Sequence, residues 1–356
     1  MATPVGRSRS PRVTFVYPNR RRELAAEVAA GRAPDTTLLG QNHLAELGLD
    51  ARIHDPGRLL GGPLLRRLLW NLREPVIAWS LASRTDAVFT PLAALLPLAA
   101  AARRCPPVVV VNFGLCTIWE RSGRARRRLL LASLRAAEAI VCLGRSQRDL
   151  LLRQTGLPPE SVVTVHLGVD ERFFAPRAEE PAERPLLLAV GKDLARDYAT
   201  FVDAVEGLDV RVELACLPRN LEGIALPPGV RARFVGPLEL RELYHEAACV
   251  VLPQREEGYP YGSEGGGLTA LLEAMASGLP VVASERPVLA DYVEHGETAL
   301  VVPPRRPELL REAITRVLDD RALAASLGSA ARRAVEERFT TRHFAEGIAP
   351  VLRAAA

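Results

Sequence analysis

Short apolar runs rich in Val, Leu, Ile and Ala alternate along the chain with longer amphipathic stretches. In the first half the runs are Val13–Tyr17, Ala87–Thr90, Val108–Asn112, Ala139–Leu143 and Val162–Leu167. Helical patterning lies between them at Gly123–Ala137 and Ser146–Gln154. The second half repeats the scheme with Leu186–Val190, Arg211–Ala215, Ala232–Val235, Cys249–Leu252, Val281–Ala283 and Ala299–Val301. Apolar strands alternating with helices predict parallel sheets covered on both faces. Two such sets in 356 residues predict two doubly wound α/β domains. The break falls in Ala175–Pro185, a polar, proline-rich segment unsuited to a core strand. Residues 1–176 then form the first domain, 177–185 a linker and 186–340 the second domain, with 341–356 a tail helix crossing back onto the first. Ligands of open parallel sheets sit beyond the carboxyl ends of the strands, so two facing domains direct attention to the cleft between them.

Composition narrows the class. With 48% hydrophobic and 25% charged residues, wholesale disorder is excluded. The net charge is only +4, yet residues 1–175 hold 25 arginines against 14 carboxylates. That asymmetry fits an anionic partner or membrane surface on the first half, and equally an Arg-rich composition spread over solvated faces. Arg124–Arg128 followed by Leu129–Leu131 is such a stretch, open to anionic lipid or to water. The five cysteines show no metal-ligand spacing and read as buried thiols of a reducing compartment. No apolar segment of signal-peptide length precedes Val13, and the longest apolar run, Ala87–Ala102, is broken by Pro91 and Pro97 and too short to span a bilayer. The expectation is a cytoplasmic protein with peripheral membrane contact left open.

Candidate chemistry concentrates in Leu252–Pro280. A strand ends in a polar loop that reaches Gly265-Gly266-Gly267 and then the helix Leu268–Ser277, stopped by Gly278 and Pro280. Glycines ahead of a helix admit a ligand close to the backbone, and the helix start offers free N–H groups to a phosphate; turn geometry alone is the alternative. Within Leu268–Ala276 the polar residues are Thr269 and Glu273, four apart on one face. A carboxylate in so apolar a helix needs a partner, either paired ribose hydroxyls or a structural arginine. Upstream, strand Leu186–Val190 runs into Gly191-Lys192-Asp193-Leu194-Ala195-Arg196, placing two cations at a strand's carboxyl end. Such a pair suits a departing diphosphate, the alternative being a solvated basic loop. Lys192 is the chain's single lysine.

These residues resemble a known family. Glu264–Ser284, with LEAMASGLPVVAS at 272–284, is similar to the C-terminal half of the retaining glycosyltransferases of family four, the group 1 transferases. So are His166–Asp170, Val235–Pro237, Leu243–Leu252 and Asp291–Pro303. The resemblance covers most of 140–340 and is weaker in the first 135 residues. It implies a GT-B architecture of two facing Rossmann-like domains. It further implies Glu273 as the carboxylate on the nucleotide ribose, Lys192 and Arg196 as the basic pair on the diphosphate, and Glu264 on the transferred sugar. Gly265, Gly266, Gly267 and Leu268 would offer amides to the distal phosphate beside Thr269, and Phe234–Leu238, with Val235 and Leu238, would border the base. Glu264 and Glu273 stand nine apart, one residue more than the family pattern. The first half departs further: Tyr17–Arg22 lacks the usual glycines, and Asn112 follows the middle strand where a histidine is common.

The reading is therefore an enzyme moving a sugar from a nucleoside diphosphate sugar, UDP- or GDP-linked, to an acceptor hydroxyl or amine with retention. It would require no metal or other cofactor and would use no nucleic acid. Asn112, Trp119 and Glu120 are offered to the acceptor or sugar side, and the acceptor is left open among glycolipid, polysaccharide precursor and small natural product. His43, His54, His245, His295 and His343 show no ligand spacing. A nucleotide-binding accessory subunit and a nucleotide-sugar epimerase on the same fold are the competing readings.

Overall fold

The computed structural model describes residues 9–17, 21–55, 81, 84–91, 96–102, 106–177 and 184–356. The loop at 18–20, Cys105 and residues 178–183 of the expected linker lie outside them.

The strands are β1 Arg12–Val16, β2 Asp50–His54, β3 Ala87–Thr90, β4 Val108–Asn112, β5 Ala139–Cys142, β6 Val162–Thr164, β7 Leu186–Val190, β8 Arg211–Ala215, β9 Val230–Arg233, β10 Ala247–Leu252, β11 Val281–Ser284 and β12 Leu300–Val302. They form two six-stranded sheets, in the orders β2-β1-β3-β4-β5-β6 and β12-β11-β10-β7-β8-β9. Every pairing within them is parallel. The helices are α1 Arg22–Ala29, α2 Leu96–Ala102, α3 Leu115–Glu120, α4 Arg124–Arg135, α5 Arg145–Thr155, α6 Tyr198–Val205, α7 Pro237–Glu246, α8 Leu268–Ala276, α9 Pro307–Asp319, α10 Arg321–Arg338 and α11 Thr341–Ala355. Central strands such as β4, β5 and β7 are buried along their whole length, which is why their sequences run apolar without alternation. In the second sheet the strand order reverses between β7 and β10, and the loops following these two strands bound a crevice.

The chain passes between the sheets at residues 164–177 and again at 338–341. The passages touch: Val169 N donates to Phe339 O at 2.8 Å and Thr341 N to Val169 O at 3.0 Å. Thr340 caps α11, its hydroxyl accepting from His343 N at 3.2 Å while His343 Nδ1 accepts from Thr340 N at 3.3 Å. The helix then lays Phe344, Ala345, Ile348, Ala349 and Leu352 onto β3, β4 and β5. One apolar cluster consequently runs from Phe15 and Val111 through Leu167, Val169, Phe174 and Phe344 into Val250 and Leu271.

The pattern of apolar runs misses β2 and places several strand ends a residue or more away, most of all at β6 and β9. β2 is an edge strand whose residues, DARIH, are only partly buried, so no continuous apolar run marks it. β6 stops at Thr164, before Val165–Leu167 turn toward the second domain. β9 occupies 230–233, and Phe234 and Val235 leave the sheet toward the crevice. Gly168 packs where the two passages meet, and a Cβ there would lie 2.2 Å from Thr340 O. Gly168→Ala should therefore lower stability by about 1–3 kcal/mol, since backbone must shift. A fall in the urea midpoint checks this, and an unchanged midpoint would show the crossing to be loosely packed.

Candidate active site

Two loops of the second domain and one of the first enclose a cavity of about 390 Å³ beyond the carboxyl ends of β7 and β10. The loop after β7 contributes Gly191, Lys192, Asp193 and Arg196, the loop after β10 contributes Ser263 and Gly265–Gly267, and α8 contributes Thr269, Ala270 and Glu273. Val235 and Leu240 close one end, and Phe113 faces in from the loop after β4.

Arg196 sets the electrostatics. It is 6% exposed, and its Nε and Nη1 are buried without a hydrogen-bond partner. The neighbouring carboxylate does not serve it: Asp197 caps α6 through Thr200 N and pairs with Arg255 at 3.1 Å. Gly191 makes room for the guanidinium, since a Cβ there would stand 2.0 Å from Arg196 Nε. Buried donors without acceptors cost about 1–3 kcal/mol each. Lys192 is exposed, with Nζ 4.4 Å from the centre of the Phe234 ring.

Glu273, on α8, lines the same cavity at 7% exposure. Its Oε2 accepts from the Tyr244 hydroxyl at 3.0 Å. Burial pushes its carboxyl up to about 7, against the opposing pull of the Tyr244 hydroxyl, Lys192 and Arg196. In the glycine loop, Gly266 N and Leu268 N turn back to Ser263 O at 3.0 Å and Gly265 O at 3.5 Å. Gly267 takes a left-handed φ of +100°, and a Cβ there would meet Gln254 Nε2 at 2.6 Å, so this step into α8 requires glycine.

The structure thus brings Lys192, Arg196, Gly265, Gly266, Gly267, Thr269, Glu273 and Val235 to one cavity. Leu268, expected to offer its amide, has that amide turned back to Gly265 O, and its side chain is buried in the core. Leu238 is 41% exposed and absent from the lining, because the inward positions of α7 are Leu240, Leu243 and Tyr244. Asn112 is a correction to the acceptor-side expectation. It is fully buried, and its Oδ1 accepts from Gly114 N at 3.0 Å and Leu115 N at 2.8 Å, so it shapes the turn. Trp119 likewise packs under Arg127 and lines neither cavity described here. Glu120 borders a second cavity of about 200 Å³ with Thr117, Tyr259, Glu264 and Arg286, separated from the first by Ser263. Glu264 lies outside the lining of the larger cavity. Tyr244 and Phe113 were not found from sequence. Tyr244 was legible in the i, i+3, i+4 face with Leu240, whereas Phe113 carries no periodic signal.

Residues 222–334 match the family described as Glycosyl transferases group 1, and residues 7–173 match Glycosyltransferase Family 4. The chain belongs to this glycosyltransferase family. Among relatives, the MMP α-(1→4)-mannosyltransferase of Mycolicibacterium hassiacum is 29% identical over 245 residues, covering 66% of this chain and 56% of that protein. The GDP-mannose-dependent α-(1-6)-phosphatidylinositol monomannoside mannosyltransferase of Mycobacterium tuberculosis is 30% identical over 219 residues, 55% of this chain and 57% of that one. The chain thus spans little more than half the length of these curated family members. Sucrose-phosphate synthase from Thermosynechococcus elongatus shares the fold with a TM-score of 0.75 at 22% identity, covering 97% of this chain and 98% of its own. Anabaena HepE in complex with UDP-glucose superposes with a TM-score of 0.71 at 15% identity, over 97% and 100%. The two six-stranded parallel sheets are the GT-B arrangement.

The raised Glu273 carboxyl has a sign that can be checked. The folded protein holds this proton more tightly than the unfolded chain, so the group stabilises the free protein at low pH. That contribution is lost as pH rises from about 4.5, the ordinary value, to about 7. Glu273→Gln should flatten stability against pH in this window. A slope identical to the wild type would place the raised group elsewhere.

Proposed function

We propose that the chain transfers a sugar from a nucleoside diphosphate sugar, UDP- or GDP-linked, to an acceptor hydroxyl or amine with retention at the anomeric carbon. The observation that carries this is the presence, in one cavity, of a buried guanidinium lacking any acceptor and a buried carboxyl group that does not pair with it. Arg196 and Lys192 take the diphosphate, the glycine loop admits its distal phosphate close to the backbone, and Glu273 accepts from the ribose hydroxyls. The base borders Val235 and Phe234, the latter 59% exposed. As the anomeric C–O bond to the phosphate breaks, the cations stabilise the charge on the departing oxygen. The acceptor oxygen bonds to the same face and its proton passes to that phosphate oxygen. No metal or cofactor is required in this reading. The second cavity, beside Ser263 and Glu120, receives the acceptor. Arg124, Arg126 and Arg128, exposed with Leu129 on α4, support an acceptor presented at an anionic membrane surface. No helix among the described residues is long and apolar enough to cross a membrane.

Thermal stabilisation by UDP, GDP, ADP and dTDP tests the donor site. A ligand at 100 times its dissociation constant adds about 2.7 kcal/mol, a visible melting shift. One nucleotide should stabilise the wild type, and Glu273→Ala should weaken it at least tenfold, about 1.4 kcal/mol. No shift with any nucleotide would sink the reading, and binding without consumption of the donor would leave an accessory subunit.

Arg196→Met should leave the free protein no less stable, because two buried donors without acceptors disappear. The same change should reduce nucleoside diphosphate affinity at least tenfold. Loss of the fold instead would make Arg196 structural.

A further inference from the structure

Glu264 turns away from the cavity that its neighbours Ser263 and Gly265 line. It is buried, at 6% exposure, and both carboxylate oxygens end on the first domain. Oε1 accepts from Cys116 N at 3.0 Å and from Gln147 Nε2 at 3.4 Å. Oε2 accepts from Thr117 N at 3.3 Å and from the Thr117 hydroxyl at 3.0 Å. A buried carboxylate is tolerated only when its oxygens are satisfied, and here all four donors belong to the opposite domain. Parting the domains removes them together.

The contact has a structural consequence on each side. On the first domain, Cys116 and Thr117 follow directly on the turn Asn112-Phe113-Gly114, which Asn112 fixes from within. Gln147 ties the same turn to the carboxylate, donating also to Asn112 O at 3.1 Å. That turn aims Phe113 into the donor cavity. On the second domain, Glu264 is the residue next to Gly265-Gly266-Gly267. The loops touch elsewhere too: a Cβ on Gly114 would stand 3.6 Å from Ser263 Cβ, and one on Gly265 would stand 3.5 Å from Gln147 Nε2.

We propose that Glu264 is a positioning residue that joins cleft closure to the glycine loop, so that Phe113 and the loop facing the distal phosphate are set by one interdomain contact. Ligand binding in the cavity holds the loop and thereby holds the first domain against it. The inference takes its ligand from the proposed function, while the contact itself does not depend on that reading.

Hydrogen exchange on the full chain reads the Cys116 and Thr117 amides directly. It is measured for wild type, Glu264→Ala and Glu264→Gln, alone and with UDP or GDP, together with the affinities for UDP, UDP-glucose, GDP and GDP-mannose. Glu264→Ala should exchange at 115–118 at least tenfold faster, with Glu264→Gln, which keeps one acceptor oxygen, in between. The nucleotide that binds should slow this exchange in the wild type and not in Glu264→Ala. Affinity for a nucleotide and for its sugar should change by the same factor. Unchanged exchange in Glu264→Ala, or slowing by nucleotide that survives the substitution, overturns the proposal. So does a loss of affinity confined to the nucleotide sugar, which would put Glu264 on the transferred sugar. Should Glu264→Ala not fold, Thr117→Val removes one of the four bonds from the other side and must give the same ordering. A wild type that binds no nucleotide refutes the proposed function, and the exchange of the unliganded variants still decides the contact.

Discussion

The cleft exists because the chain passes between its two sheets twice at one place. Val169 exchanges backbone bonds there with Phe339 and Thr341, and Gly168 lets the strands of chain approach to a distance that any side chain would forbid. Were the domains joined by a single passage, their relative rotation would be set by a few torsions. Two passages bonded to each other, with α11 packed on the first sheet, constrain that rotation more tightly than one would. His166 packs edge-on to both Tyr292 and Phe339 beside it. Tyr292 also accepts from Leu167 N at 2.7 Å and donates to Leu143 O, bringing the second domain onto the end of β5. The site can therefore be assembled from loops of different domains and still have one shape.

Given that shape, the cavity holds a guanidinium and a carboxyl group that do not pair with one another. Arg196 is buried with donors unspent, although Asp197 is its neighbour in sequence. That carboxylate is bound to Thr200 and Arg255. Glu273 is buried with a single tyrosine hydroxyl, and its proton is correspondingly hard to remove. Pairing the two would satisfy both and fill the cavity. Keeping them apart leaves the free protein less stable than a version with apolar groups in their places, and leaves the Arg196 donors without an acceptor from the protein. A structural ion pair, the plain alternative for a carboxylate in so apolar a helix, is not what Glu273 makes.

Much of this was legible in the sequence, for identifiable reasons. Central parallel strands are buried on both faces, so β4, β7 and β10 announce themselves as continuous apolar runs. The edge strand β2, with Asp50, Arg52 and His54, does not. Glu273 stood out because a lone carboxylate in an apolar helix demands explanation, and Lys192 and Arg196 because they follow a strand directly. Leu238 misled because proximity in sequence to Val235 says nothing of which side of α7 faces the crevice, and only the i, i+3, i+4 row does. Asn112 misled for a different reason. Its position at a strand's carboxyl end is right for a ligand contact, but its side chain is consumed by the turn it begins. Side-chain capping competes with ligand binding for the same short polar residues, and sequence alone does not show which use wins.

The loop from Ser263 to Gly265 shows how a short segment serves two partners. The chain turns here, Gly266 N bonding back to Ser263 O at 3.0 Å, with Glu264 and Gly265 between them. Ser263 and Gly265 line the larger of the two cavities, while the Glu264 carboxylate between them reaches the first domain. A displacement of this loop toward a ligand is then a displacement of the carboxylate as well, and the turn carrying Phe113 must follow or lose its four bonds. Asp193 holds the other end of the arrangement, accepting from the Ser263 hydroxyl at 3.2 Å and from Ala195 N at 2.7 Å. The segment bearing Lys192 and Arg196, the glycine loop and the turn of the first domain are thereby linked in series through short polar contacts. No long-range mechanism is needed to connect the cations with the opposite domain, since two side chains, Asp193 and Glu264, span the distance between them.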